Sequence, residues 1–163
     1  MSVLVADRTE SKFEVLVHSI KIHDMIVDLC QRNFGVKDIE HLVRKKYEYG
    51  DASGYDYERY FYLLYNYKSR LEMIAATIVN NIRAANSIYP KNLHECEVKR
   101  DYQNAAIANC EQLISELQRI IDIFDVDVNV YIRYSKAIDR EIDLIKRWRQ
   151  KGNARAAQLK GNS

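Results

Sequence analysis

The chain has 163 residues with 25 Lys and Arg against 23 Asp and Glu, so its net charge is only +2. That length suits one domain with a real core, and the near balance of charge does not by itself imply a nucleic-acid partner. One proline and five glycines leave little punctuation for a multi-stranded β fold, and the most apolar stretch, Met73 to Val79, is far too short to span a bilayer.

In chain order, residues 1–6 read as a loose arm. The N-terminal stretch 1–12 has an acid at Asp7 and no long apolar core, which argues against a signal peptide. Ser11-Lys12-Phe13-Glu14 has the form of a capping box, and Asp7 with Glu10 is an earlier candidate. A first helix over 9–33 then places Phe13, Leu16, Val17, Ile20, Val27 and Cys30 on one face, which Val15, Ile22, Ile26 and Leu29 widen. Phe34-Gly35 ends it, with glycine suited to the position after the cap. The charged segment 38–49 predicts a short extra helix inserted before the second long one. Gly50 to Gly54 reads as the most flexible stretch.

A second helix over 56–87 organises the rest. Tyr57, Leu64, Leu71, Ile78 and Ala85 recur every seven residues, with a second row at Phe61, Lys68, Ala75 and Ile82. Asp56 can cap its start, and Pro90 excludes helix just before it. About thirty residues make a rod of roughly 45 Å that needs partners of similar length. Asn92 with Glu95 forms another capping box and opens a third helix over 93–124. That helix carries Leu93, Ile107, Ile114 and Ile121 in one row and Cys96, Cys110, Leu117 and Phe124 in another. Asp127 caps a fourth helix over 128–150, with Tyr131, Ile138, Ile142 and Ile145 inward; 151–163 reads as a frayed polar tail. The expected fold is therefore all-α: an antiparallel up-down four-helix bundle forming a single domain, its core over about 8–150. Ile78, Ile114, Leu117, Ile138 and Ile142 are its expected core.

Charge is sorted on the fourth helix. At about 100° per residue, Arg133, Lys136, Arg140, Arg147 and Lys151 fall roughly 160–220° from Ile138, opposite the core. From residue 144 onward there are six bases and no acid. Such a stripe is the footprint of a phosphate-rich partner, so these five residues are the candidate nucleic-acid contacts. An ordinary solvated face and the preference of cations for helix C-termini give the same pattern. Eight of twelve tyrosines lie between 47 and 67, more than one core face can hold. Tyr62 and Tyr65 are the candidate oligomer interface.

Signals of catalysis are weak, and no catalytic residue, metal ligand or cofactor is assigned. His18, His23, His41 and His94 lack a glutamate three residues earlier, and no metalloprotease or phosphate-loop motif occurs. Cys30, Cys96 and Cys110 contain no CxxC pair, which fits a reducing cytoplasm and core packing.

The segments RTESKFEV (8–15), ANSIYP (85–90) and LIKRWRQ (144–150), with the four-helix layout, resemble the accessory variability determinant family. These are small four-helix-bundle proteins encoded beside reverse transcriptases in diversity-generating retroelements. The resemblance spans about Arg8 to Gln150. It implies a non-enzymatic, ring-forming pentamer that binds the reverse transcriptase and template RNA or cDNA during mutagenic reverse transcription. It maps no catalytic residue. Without it, the same sequence reads as a stand-alone structural or regulatory bundle that binds another protein and no nucleic acid.

Overall fold

The computed structural model describes residues 13–36 and 57–162. Four helices account for nearly all of them: α1 (Glu14–Gln31), α2 (Tyr57–Asn86), α3 (Leu93–Ile123) and α4 (Val128–Gly161). No β-strand occurs among the described residues, and one apolar core draws on all four helices. The extra helix expected near 38–49, the caps at Asp7, Ser11 and Asp56, and Tyr47, Tyr49 and Tyr55 lie outside the described residues, as do the side chains of Tyr57 and Tyr60.

In α1, Val15, Ile22, Ile26, Leu29 and Cys30 are buried, while Val17 and Ile20 are 47% and 36% exposed. This corrects the face expected from sequence. The helix is apolar around most of its circumference, so several stripes fit the 3.6 period. Packing against α2 and α4 selects the one containing Ile22, Ile26 and Leu29. The helix stops by an unusual route. Asn33, Phe34 and Gly35 form a turn with φ of +50°, +62° and +78°. Glycine takes that region freely and asparagine tolerates it, but a phenylalanine there costs about 1–2 kcal/mol. The cost is offset because Phe34 is fully buried, its ring 5.7 Å from that of Phe124. Burying such a side chain contributes about 1.5–3 kcal/mol.

The heptad row of α2 is buried at Leu64, Leu71, Ile78 and Ala85, and so are Ala75 and Ile82. Phe61, expected in the second row, is 51% exposed. It lies about 60° round the helix from Leu64, whereas Tyr67 and Ile74 extend the buried arc on the opposite side. In α3, Asn92 Oδ1 accepts from the Glu95 N–H at 2.9 Å, as the capping motif requires. The returning Glu95 carboxylate accepts from Lys91 N at 2.6 Å, one residue before the usual target. Leu117 is buried as expected, but Ile114 is only half-buried and Leu93 is exposed. A row the sequence reading did not select, Ala106, Leu113 and Ile120, is fully buried instead.

Asp127 caps α4, accepting from Asn129 N at 3.0 Å. Ile138, Ile142 and Ile145 face inward as expected. The helix passes its expected end at 150 and continues to Gly161, so 151–161 is helical rather than frayed. Its Ala, Arg, Gln, Leu and Lys content carries it through Gly152. Contacts from α3 hold it: Arg100 donates to Asn153 Oδ1 at 2.6 Å, and Ala156 is buried. The pairs Arg100–Asn153 and Asn104–Arg149 join α3 to α4, and Arg70–Glu116 and Asn81–Asn109 join α2 to α3. Phe13–Trp148 and Phe34–Tyr131 join α4 to α1 and to the turn after it.

Candidate functional site

All five expected phosphate contacts, Arg133, Lys136, Arg140, Arg147 and Lys151, are exposed on α4. The inward packing of Tyr131, Ile138 and Ile145 fixes this, since bases half a turn away must face solvent. They are not a uniform strip. Lys136, Arg140 and Arg147 line a shallow groove of about 410 Å³ with Asp139, Asp143, Leu144 and Glu14. Arg140 is ion-paired there with the Glu14 carboxylate from the first turn of α1. Both side chains are largely solvated, so the pair is worth at most about 1 kcal/mol. Arg147 and Lys151 belong to the acid-free part of the chain, and Arg149 beside them donates to Asn104 Oδ1 at 2.7 Å.

Arg133 sits apart, near the start of α4. Its guanidinium lies 5.1 Å from the centre of the Tyr134 ring and donates to that hydroxyl at 3.2 Å. Arg32, from the end of α1, donates to the same hydroxyl at 3.2 Å. Sequence reasoning missed Arg32, because nothing in its local pattern says which helix it will meet.

Tyr62 and Tyr65 are 68% and 69% exposed, and Met73 two turns on is 65% exposed. Together with Phe61 they leave an apolar band on α2 that the other helices do not cover.

Glu141 is the most unusual group inside the fold. It is fully buried, and neither carboxylate oxygen has a hydrogen-bond partner among the described residues. Burial pushes its carboxyl up to about 8, against the pull of Arg140 and with a smaller push from Glu14. The helical wheel held the signal: Glu141 lies about 60° from Ile138, and Tyr134 about 40°, both within the inward arc. His18 Nε2 donates to the Ala137 carbonyl at 2.9 Å, one turn before Glu141.

The three cysteines are free and buried. Burial raises the Cys30 and Cys110 thiols to about 12, so neither presents a thiolate nucleophile near neutral pH. Among the described residues no group of three or more His, Cys, Asp or Glu is placed to hold a metal ion. No described helix is long and apolar enough to cross a membrane. No family model, no curated protein and no solved structure matches this chain.

Proposed function

We propose that this protein is a non-enzymatic accessory factor of a diversity-generating retroelement. In this reading it is a cytoplasmic, antiparallel up-down bundle that forms a homo-oligomer, a pentamer by the resemblance. It scaffolds a reverse transcriptase on template RNA or cDNA. The observation that carries the reading is the exposed basic face of α4, Arg133 to Lys151. Exposed Lys and Arg engage phosphates by displacing condensed counterions, and a ring would repeat the face once per subunit. The descending pairing of α3 with α4 (Arg100 with Asn153, Asn104 with Arg149) supports the antiparallel layout. The uncovered tyrosines of α2 support self-association.

The second reading is a bundle that binds another protein and no nucleic acid. The groove favours it, because Glu14, Asp139 and Asp143 interleave with Lys136, Arg140 and Arg147. Mixed charge of this kind suits a protein surface better than a polyanion.

The test is retention of single-stranded RNA by the purified protein at low salt, together with co-purification of a co-expressed retroelement reverse transcriptase. The scaffold reading expects both. A protein that ignores RNA and the reverse transcriptase sinks it and leaves the second reading.

A further inference from the structure

Two guanidinium groups, Arg32 at the end of α1 and Arg133 near the start of α4, converge on one acceptor, the Tyr134 hydroxyl, each at 3.2 Å. Tyr134 itself is buried, so its oxygen is a fixed point on which both arginines are registered. Like charges brought this close repel, and one neutral phenol oxygen does not compensate two cations. Asp28 supplies part of the balance. It pairs with Arg32 at 2.7 Å, and its negative charge also reaches Arg133. The cluster Asp28, Arg32, Arg133 therefore keeps a net positive charge. The Arg32 side chain is 49% exposed, and Arg133 is exposed, so their remaining N–H donors face solvent. A planar fork of donors from each arginine, held on one centre, matches the tetrahedral oxygens of a phosphate.

We propose that Arg32 and Arg133 form a clamp that takes one phosphate of a single-stranded RNA backbone, with Tyr134 as the positioning residue between them. The inference rests on the nucleic-acid reading above and deepens it. It moves the interface off α4 alone and onto the α1–α4 seam. It also gives Arg133 a different role from Arg147 and Lys151, which present single charges. The clamp stands at the turn built by Asn33, Phe34 and Gly35, so its geometry depends on how α1 ends.

The experiment is a salt titration of binding to an unstructured oligouridylate RNA, using the full chain as wild type, R32Q, R133Q, R32Q/R133Q and, as a reference, R147Q/K151Q. All four positions are exposed, and a circular-dichroism melt of each variant verifies the fold. A single-strand phosphate contact contributes about 0.7 to the slope of log affinity against log salt. A shared phosphate predicts that R32Q, R133Q and the double variant each lower the slope by the same amount, about 0.7. Independent contacts would make the double variant lose about 1.4, and that additive result overturns the clamp. Unchanged slopes in R32Q and R133Q, with a reduced slope in R147Q/K151Q, overturn the clamp and leave the nucleic-acid reading standing. Failure of the wild type to bind RNA at all overturns both.

Discussion

The Tyr131 hydroxyl donates to the Phe34 carbonyl at 2.8 Å, tying α4 to the turn after α1 across 97 positions of sequence. The bond is buried, and it pins the backbone of a residue whose φ of +62° is costly for a bulky side chain such as phenylalanine. Tyr131→Phe leaves that carbonyl without its donor while keeping the ring. We expect a loss of about 1–3 kcal/mol in denaturant unfolding, most of it the cost of stranding a buried acceptor. A change below about 0.5 kcal/mol would mean that the turn holds itself.

Glu141 predicts an uncommon dependence of stability on pH. Its folded carboxyl titrates near 8, raised from 4.5 by burial. The native state therefore keeps a proton that the unfolded chain releases, and stability falls as pH rises between those two values. The slope approaches about 1.4 kcal/mol per pH unit within that window, and flattens above it once both states are ionised. Glu141→Gln removes the contribution and should be more stable than wild type at pH 8 but not at pH 4.5. Parallel stability profiles for the two proteins would contradict the burial of an uncompensated carboxyl.

Leu117 lies in the core, and Leu117→Ala should cost about 2–5 kcal/mol through lost transfer energy and the cavity left behind. The same truncation at half-buried Ile114 should cost less, since its site opens toward solvent. Equal losses in chemical denaturation would place Ile114 back in the core.

The apolar band on α2 bears on assembly. If Tyr62 and Tyr65 bury against a second copy, Tyr62→Ser/Tyr65→Ser should shift the protein toward monomer in sedimentation velocity at micromolar concentration. The helical content should stay unchanged, because both side chains are outside the core of a single chain. A wild type that sediments as a monomer removes the interface.

Much of the fold was legible in the sequence because helices longer than about eighteen residues repeat their apolar stripe often enough to fix its phase. Leu64, Leu71, Ile78 and Ala85 on α2 and Ile138, Ile142 and Ile145 on α4 show this. Helix starts were legible where a cap is a chemical signature, at Asn92 and Asp127. Where nearly every face is apolar, as in α1, phase is set by the neighbours, so Val17 and Ile20 were misplaced. The far end of α4 was missed because its polar sequence is held by Arg100 of α3, a partner no local pattern reveals. The basic face was legible from periodicity alone. Its pairing with Glu14, and the meeting of Arg32 with Arg133, were not, since both depend on α1 lying beside α4.

The measurement that bears most directly on the proposed function is the salt dependence of RNA retention on a filter, compared between wild type and R140Q/R147Q. Both side chains are exposed on α4, so the double variant should keep its melting temperature to within the small worth of the Arg140–Glu14 pair. If the face grips phosphates, wild-type affinity falls linearly in log–log form as salt rises. The variant then binds every RNA sequence more weakly and with a shallower slope. No retention of RNA by the wild type at low salt, or identical slopes in the two proteins, would contradict the account.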